Sequence, residues 1–434
     1  MNLLGWMRAP EESLAQWDEL VALAAAAKAD GLDRTLVCGM GGSSLVADVL
    51  AETFRVPHLH VLDSTNPAAV LAAEGDNDRT LFVISSKSGN TVETLAFCHH
   101  FLARARPEQF VAITEVDSPL AQLARQRRFR AVIPHPLGVG GRYSALTAIG
   151  MFPAALADID GRELLTRTGR VDVAAANALG RKIAEAAKAG RDKLRVSPPP
   201  SIAGLAYWIE QLIAESSGKD GRGVVPVVQD PLNAPPRDTQ TAGPTDFSAD
   251  PLDLGVEFLR WEYATASLCE TLGVNAFDQP DVEEAKKLAR AELAAHAAPA
   301  PLQTLTPAAL RKQARPGDYL GILAYVPPTP AIHAQLQALR ASWGQALGCA
   351  TTLGIGPRYL HSTGQLHKGG PASGLFLVIT TDVAADIEIP EMSTSFGALH
   401  QAQARGDVRA LLARGRRVAH VHLPSVAELP QIRP

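Results

Sequence analysis

Cysteine is scarce in this 434-residue chain, and the four present, Cys38, Cys98, Cys269 and Cys349, stand far apart. They form no C-x-x-C pair and no metal-ligand spacing, which argues against a structural zinc and for a reduced compartment. Charge of one sign is also lacking. Against 41 basic residues stand 45 acidic ones, a net charge of −4, so nothing in the balance points to nucleic acid or an anionic membrane. Long apolar runs are missing too. The stretch from Leu20 to Ala27 is too short to span a bilayer, and Arg8, Glu11 and Glu12 come too early for a secretory signal. These absences lead us to expect a soluble cytoplasmic protein whose ligand, if anionic, is held by local geometry.

What is there is a 46% hydrophobic chain, long enough for two or three domains. Ser13 to Lys28 has helical periodicity through Leu14, Trp17, Leu20, Val21 and Ala24. Short apolar runs follow, TLVCGM, HLHVLD, TLFVIS and QFVAIT, each leading through polar or Gly-rich residues into a helical stretch. That alternation predicts βαβ units and a parallel sheet, with ligands bound at the carboxyl ends of the strands. A boundary is expected near Asp158 to Arg170, and Asp230 to Asp253, rich in Pro, Asp and Thr, reads as a long loop. AAHAAPAPLQTLTP reads as a second linker, before a last portion with its own strand–helix texture. The expected division is 1–160, 161–300 and 301–434: two doubly wound α/β domains and a smaller C-terminal α/β region.

Two loops suit a phosphate. GMGGSS (Gly39 to Ser44) lies between a strand and a helix, where backbone N–H groups and the helix N-terminus favour an anion. It is neither a Walker loop nor a dinucleotide fingerprint, since no G-K-[ST] follows and position 44 is Ser. SSKSGNTVET (Ser85 to Thr94) places the hydroxyls of Ser85, Ser86, Ser88 and Thr91 around Lys87 at the end of a strand. Such a cluster matches the many acceptors of a phosphate monoester. The plainer reading is a capping box closed by Glu93, which accounts for one or two of the hydroxyls. In SIAGLAYWIEQLIAES, Ile202, Leu205, Ile209 and Leu212 form an apolar stripe, while Gln211 and Glu215, four apart, share another face.

At this point the sequence resembles the SIS sugar-isomerase fold and, within it, the phosphoglucose isomerase family. GMGGSS resembles that family's G-x-G-G-S loop and SSKSGNTVET its S-K-T/S-x-x-T-x-E-T phosphate loop. GVGGRYSALTAIG resembles G-G-R-[YF]-S, QLIAESSGKDGRG resembles Q-x-x-x-E-S-x-G-K, and NAFDQPDVEEAKK resembles F-D-Q-x-x-V-E-x-x-K, all in family order. TTLGIGPRYLHSTGQLHKGGP and FGALHQAQARGDVRALLARGRRV resemble the tail of transaldolase–isomerase fusions. With no transaldolase portion before residue 1, the chain resembles the isomerase half alone.

The resemblance implies interconversion of glucose 6-phosphate and fructose 6-phosphate through an enediolate, without cofactor or metal. It implies a homodimer as well. Ser43, Ser86, Lys87, Ser88 and Thr91 match phosphate contacts, and Gly42, Gln211 and Gln279 match contacts that line the sugar. Glu215 matches the catalytic base, Arg142 the cation beside the developing oxyanion, and Lys286 a lysine tied to ring opening. A carboxylate in that role must come within about 3 Å of the carbon-bound proton. A bifunctional phosphoglucose/phosphomannose isomerase remains an alternative. So does a non-catalytic sugar-phosphate sensor, although a sensor would dispense with Glu215, Arg142 and Lys286. One departure matters. The family's ring-opening histidine, usually given by the neighbouring subunit, lies between the glutamate and F-D-Q motifs, yet this chain has no histidine between His135 and His296. His361 or His367 is the preferred substitute. The other possibilities are ring opening by Lys286 with water, or the use of open-chain substrate.

Overall fold

The computed structural model describes residues 3–232, 234–294 and 301–434, apart from the side chains at 282–286, 289 and 294. Among the described residues, three wholly parallel sheets organise the fold. The first holds β1 (Arg34–Cys38), β2 (Leu59–Leu62), β3 (Thr80–Ser85), β4 (Phe110–Thr114) and β5 (Ala131–Pro134), in the order β2-β1-β3-β4-β5. β2, β3 and β4 lie within the short apolar runs of the sequence and β1 overlaps one, whereas β5 was not among them; every residue of β3 and β4 is buried, as a sheet covered by helices on both faces requires.

That strand order decides where a ligand goes. From β1 the chain crosses one way to β2 and then returns to place β3 on the other side of β1. The loops after β1 and β3 therefore diverge and leave a crevice at their carboxyl ends, the topological switch point of an open α/β sheet. Both hydroxyl-rich loops open there.

The second sheet is small: β6 (Lys193–Val196), β7 (Val225–Val228) and β8 (Thr239–Ala242), in the order β7-β6-β8. β8 falls inside the Pro-rich stretch read as loop. Its four residues are too few to show a period, and β6 recruits them by parallel pairing from Lys193↔Thr239 to Val196↔Ala242. The stretch 158–170 carries the helix Gly161–Arg167, capped by Asp160. Residues 295–300 of the second expected linker lie outside the described residues.

The C-terminal region is more substantial than the sequence suggests. β9 (Tyr319–Tyr325), β10 (Ala350–Ile355), β11 (Gly374–Thr381) and β12 (Arg417–Leu423) pair in the order β10-β9-β11-β12 and repeat the switch-point arrangement of the first sheet. A shared apolar cluster joins Val225 and Val227 of β7 to Tyr325 and Phe376 of this sheet. Among the described residues no helix is long and apolar enough to cross a membrane, and all four cysteines are buried and unpaired.

Candidate active site

A cavity of about 430 Å³ occupies the switch point of the first sheet. Gly41–Ser43 from the loop after β1 and Ser85–Thr91 from the loop after β3 line one side. Gly41 begins the helix Gly42–Phe54 at φ 59°, a conformation that glycine adopts without a steric penalty. Gly42 is required for a different reason. A Cβ there would stand 2.0 Å from the Gly141 carbonyl oxygen, so only glycine lets the loop pack against Gly140–Tyr143.

The second loop is ordered by its own hydroxyls. Ser86 Oγ lies 3.0 Å from Thr91 Oγ1 and accepts from the Gly89 amide at 3.1 Å, while Ser88 Oγ donates to Asn90 Oδ1 at 2.6 Å. Lys87 is 3.9 Å from Glu115 at the same rim. Thr91 precedes the helix Val92–Leu102 without a side-chain cap, so the capping box suggested by Glu93 is not formed. Glu93 turns inward instead, 5% exposed at its side chain.

Opposite the loops stands the helix Leu205–Ser217. The expected apolar stripe is buried, although Ile202 belongs to the 3-10 turn Pro200–Ile202 that precedes the helix. Gln211 and Glu215 share a face as their spacing predicts, with Gln211 Nε2 donating to Glu215 Oε2 at 3.1 Å and to the His361 carbonyl at 2.8 Å. Arg142 Nη1 is 3.0 Å from Glu215 Oε1. The rest of its guanidinium donates to Ser216 Oγ, Gln279 Oε1 and the carbonyls of Ala276 and Asp278. Lys219 fixes that carbonyl-bearing turn through Asp278 at 2.9 Å and the Asn275 carbonyl. Burial, and then Arg142, push the Lys219 ammonium below its ordinary pKa, with Asp278 opposing.

The F-D-Q segment is held from below. Gln365 donates to Asp281 Oδ2 at 2.6 Å and to the Gly218 carbonyl at 2.9 Å, and accepts from the Asp281 amide at 3.0 Å. Phe277 and Gln279 thereby reach the cavity wall. Lys286 falls within the helix Pro280–Ala294, but its side chain lies outside the described residues.

The C-terminal region closes the site with Leu360, His361, Leu399, Gln403 and Asp407. His361 Nε2 is 2.9 Å from Glu93 Oε1, and Gln403 Nε2 donates to the same oxygen at 2.6 Å. His367 is the correction. It does not line the cavity: its ring is fully buried, edge-on to Phe376 at 5.0 Å, with Nδ1 3.0 Å from Tyr319 Oη. Burial, together with Lys368 and Arg416, pushes it well below the usual imidazole pKa, so it is a neutral core residue. Of the two histidines, only His361 joins the cavity. The structure therefore gathers Gly42, Ser43, Ser86, Lys87, Ser88, Thr91, Arg142, Gln211, Glu215, Gln279 and His361 around one space. Gln403 and Asp407 were not singled out from the sequence, and Glu93 was read only as the close of a capping box. For Glu93 the signal was there, in the T-x-E-T end of the phosphate-loop motif; for the other two there was none.

No family model matches the chain. The glucose-6-phosphate isomerase of Acaryochloris marina is 34% identical over 207 residues, which cover 42% of this chain and 39% of that protein. That of Gloeothece citriformis is 32% identical over 257 residues, 50% and 48% of the two chains. The chain is thus similar in sequence to glucose-6-phosphate isomerases over part of its length. A probable glucose-6-phosphate isomerase of Haloquadratum walsbyi is 32% identical over 214 residues, 44% of this chain and 49% of its own. The chain thus spans about half, or less, of the length of the curated relatives it matches. Among solved structures, a glucose-6-phosphate isomerase from Chlamydia trachomatis superposes with a TM-score of 0.51 at 19% identity, covering 65% of this chain and 73% of that one, a likeness of fold.

Proposed function

We propose that the protein is a glucose-6-phosphate isomerase, with Glu215 moving the proton between C2 and C1. The observation that carries this reading is the placement of Glu215 across one cavity from two hydroxyl-rich loops, its carboxylate held by Arg142 at 3.0 Å and Gln211 at 3.1 Å. A phosphate bound by the loops at the switch point fixes one end of the sugar. The carboxylate then meets the other end in a fixed pose.

In the open-chain aldose, Glu215 takes the proton from C2. The electron pair forms the C1–C2 double bond and leaves negative charge on O1, which the Arg142 guanidinium stabilises in a water-poor site. After the hydroxyl proton shifts from O2 to O1, the same carboxyl returns its proton to C1 and the ketose forms. The reading needs no cofactor. It carries with it a cytoplasmic location and a place in glycolysis or gluconeogenesis.

Ring opening falls to His361. Glu93 Oε1, 2.9 Å from Nε2, orients the ring, which leaves Nδ1 for the sugar. The imidazolium gives its proton to the ring oxygen as the C–O bond breaks. The anomeric hydroxyl releases its own proton to solvent, and a carbonyl results. In this reading the histidine that the family takes from a neighbouring subunit comes from the chain's own C-terminal region.

The test is a dehydrogenase-coupled assay of fructose 6-phosphate conversion with wild type and Glu215→Gln. We expect turnover by the wild type and a loss on the order of 10³-fold in the variant. Equal rates would overturn the assignment. Mannose 6-phosphate in the same assay tests the bifunctional alternative.

A further inference from the structure

We propose that Gln403 is a positioning residue for ring opening, holding the Glu93 carboxylate against His361 so that the imidazole is presented to the sugar in one orientation. The inference rests on the isomerase reading above and adds a residue to it.

The helix Phe396–Ala413 turns one face toward the cavity through Leu399, Gln403 and Asp407, each four residues from the next. Gln403 is 3% exposed and both ends of its amide are engaged. Nε2 donates to Glu93 Oε1 at 2.6 Å, and Oε1 accepts from Thr65 Oγ1 at 2.7 Å. Only one orientation of the amide works. Turned over, its oxygen would face a carboxylate oxygen at hydrogen-bond distance, with no proton between them. Because the Thr65 hydroxyl must donate to Gln403, its oxygen is left to accept from His400 Nδ1, 3.1 Å away. Donors therefore run in a single direction, from His400 through Thr65 and Gln403 to Glu93, and His361 meets the same Glu93 oxygen from the other side.

The side-chain type fits the task. A lysine or arginine at 403 would neutralise Glu93 and compete with His361 for it. A carboxylate there would repel Glu93. A neutral amide donates one strong hydrogen bond and leaves the charge of the Glu93–His361 pair unchanged. It fixes which Glu93 oxygen the histidine meets, and so the tilt of the imidazole ring. Thr65 lies just beyond the end of β2, so the anchor behind Gln403 is the first sheet itself.

The experiment compares two substrates. Fructose 6-phosphate must be opened. 5-Deoxy-fructose 6-phosphate lacks the hydroxyl that closes the ring and meets the enzyme already open. Turnover of the first is read by the coupled assay, and proton transfer on the second by exchange at C1 in D₂O. Gln403→Leu should slow fructose 6-phosphate turnover roughly 10- to 100-fold while exchange on the open-chain analogue falls less than about threefold. Thr65→Val, which removes only the anchor, should give the same selective loss at smaller size and guards against a Gln403→Leu chain that folds poorly. Parallel loss on both substrates in both variants, or no loss in either, overturns the proposal. Glu215→Gln separates the two levels. If it abolishes both activities while Gln403→Leu shows no selectivity, the isomerase reading stands and the role of Gln403 falls. If Glu215→Gln retains both at the wild-type rate, the isomerase reading itself has failed.

Discussion

Arg142 meets Glu215 end-on, Nη1 to Oε1 at 3.0 Å, and spends its remaining donors on Ser216, Gln279 and two backbone carbonyls. The guanidinium is therefore locked in place beside the Glu215 carboxylate, with 3% of its side chain exposed. A lysine has no planar fork with which to keep these contacts. Arg142→Lys should lower kcat on the order of 10²-fold with a smaller change in KM, because on the proposed mechanism the charge beside Arg142 develops only in the transition state. Steady-state kinetics on fructose 6-phosphate decides it, and a change confined to KM would assign Arg142 to substrate binding.

His361 and His367 lie six residues apart and should part company when replaced. His361→Ala should slow fructose 6-phosphate turnover by about 10²-fold with little change in thermal stability. His367→Ala removes a ring packed between Tyr319 and Phe376, so it should lower the melting temperature by several degrees while the purified protein keeps its kcat. Measuring both properties for both variants tests the assignment.

Much of the first sheet could be read directly, since each short apolar run followed by a polar turn became a strand or held one. The i, i+4 relation of Gln211 and Glu215 was equally plain because it is local. What stayed hidden depends on pairing across the chain. β8 exists because β6 offers it an edge, and β10 because β9 does; neither segment advertises a period of its own. The choice between His361 and His367 was invisible for a similar reason. Both sit in one Gly-rich motif, and only the packing of β9 and β11 sends one into the core and leaves the other beside Glu93. Gln403 lies 310 residues from its partner Glu93, a distance at which no local pattern carries information.

Asp407 should be intolerant of a neutral substitute. Its carboxylate is buried, with Lys368 Nζ at 2.6 Å and the Tyr359 hydroxyl donating at 2.6 Å. Asp407→Asn leaves the ammonium of Lys368 buried without its counter-charge, which costs about 3–5 kcal/mol. Urea denaturation should show that loss, and the double variant Asp407→Asn/Lys368→Met should recover part of it. Additive losses would mean that the pair is not coupled.

Gly42→Ala tests the packing of the phosphate loop. The added methyl would collide with backbone, the Gly141 carbonyl oxygen at 2.0 Å, and has no rotamer by which to escape. The loop and the Gly140–Tyr143 segment must separate, so KM for the sugar phosphate should rise and kcat fall together. Unchanged kinetics would mean that the loop adjusts without cost.

Glu210 supplies a pH dependence. Burial pushes its carboxyl up to about 7, with Arg340 and Arg358 pulling the other way. The folded state thus holds this proton more tightly than the unfolded chain does. The stability it contributes is complete below the ordinary carboxylate range and is lost as pH rises toward 7. Glu210→Gln should melt at a higher temperature than wild type at pH 8, with the gap closing by pH 4. A gap that is the same at both values would exclude titration of Glu210 as its cause.

Among the partners of the Glu93 carboxylate are His361, 268 residues downstream, and Gln403, 310 residues downstream. On the ribosome, at roughly 10 residues per second, the first sheet therefore waits on the order of half a minute for them. Through that interval the nascent chain carries both hydroxyl-rich loops, the Glu93 side chain and then the helix Leu205–Ser217 opposite them, but not the C-terminal wall that holds His361. On the proposed reading, the part that grips the phosphate is made before the part that opens the ring.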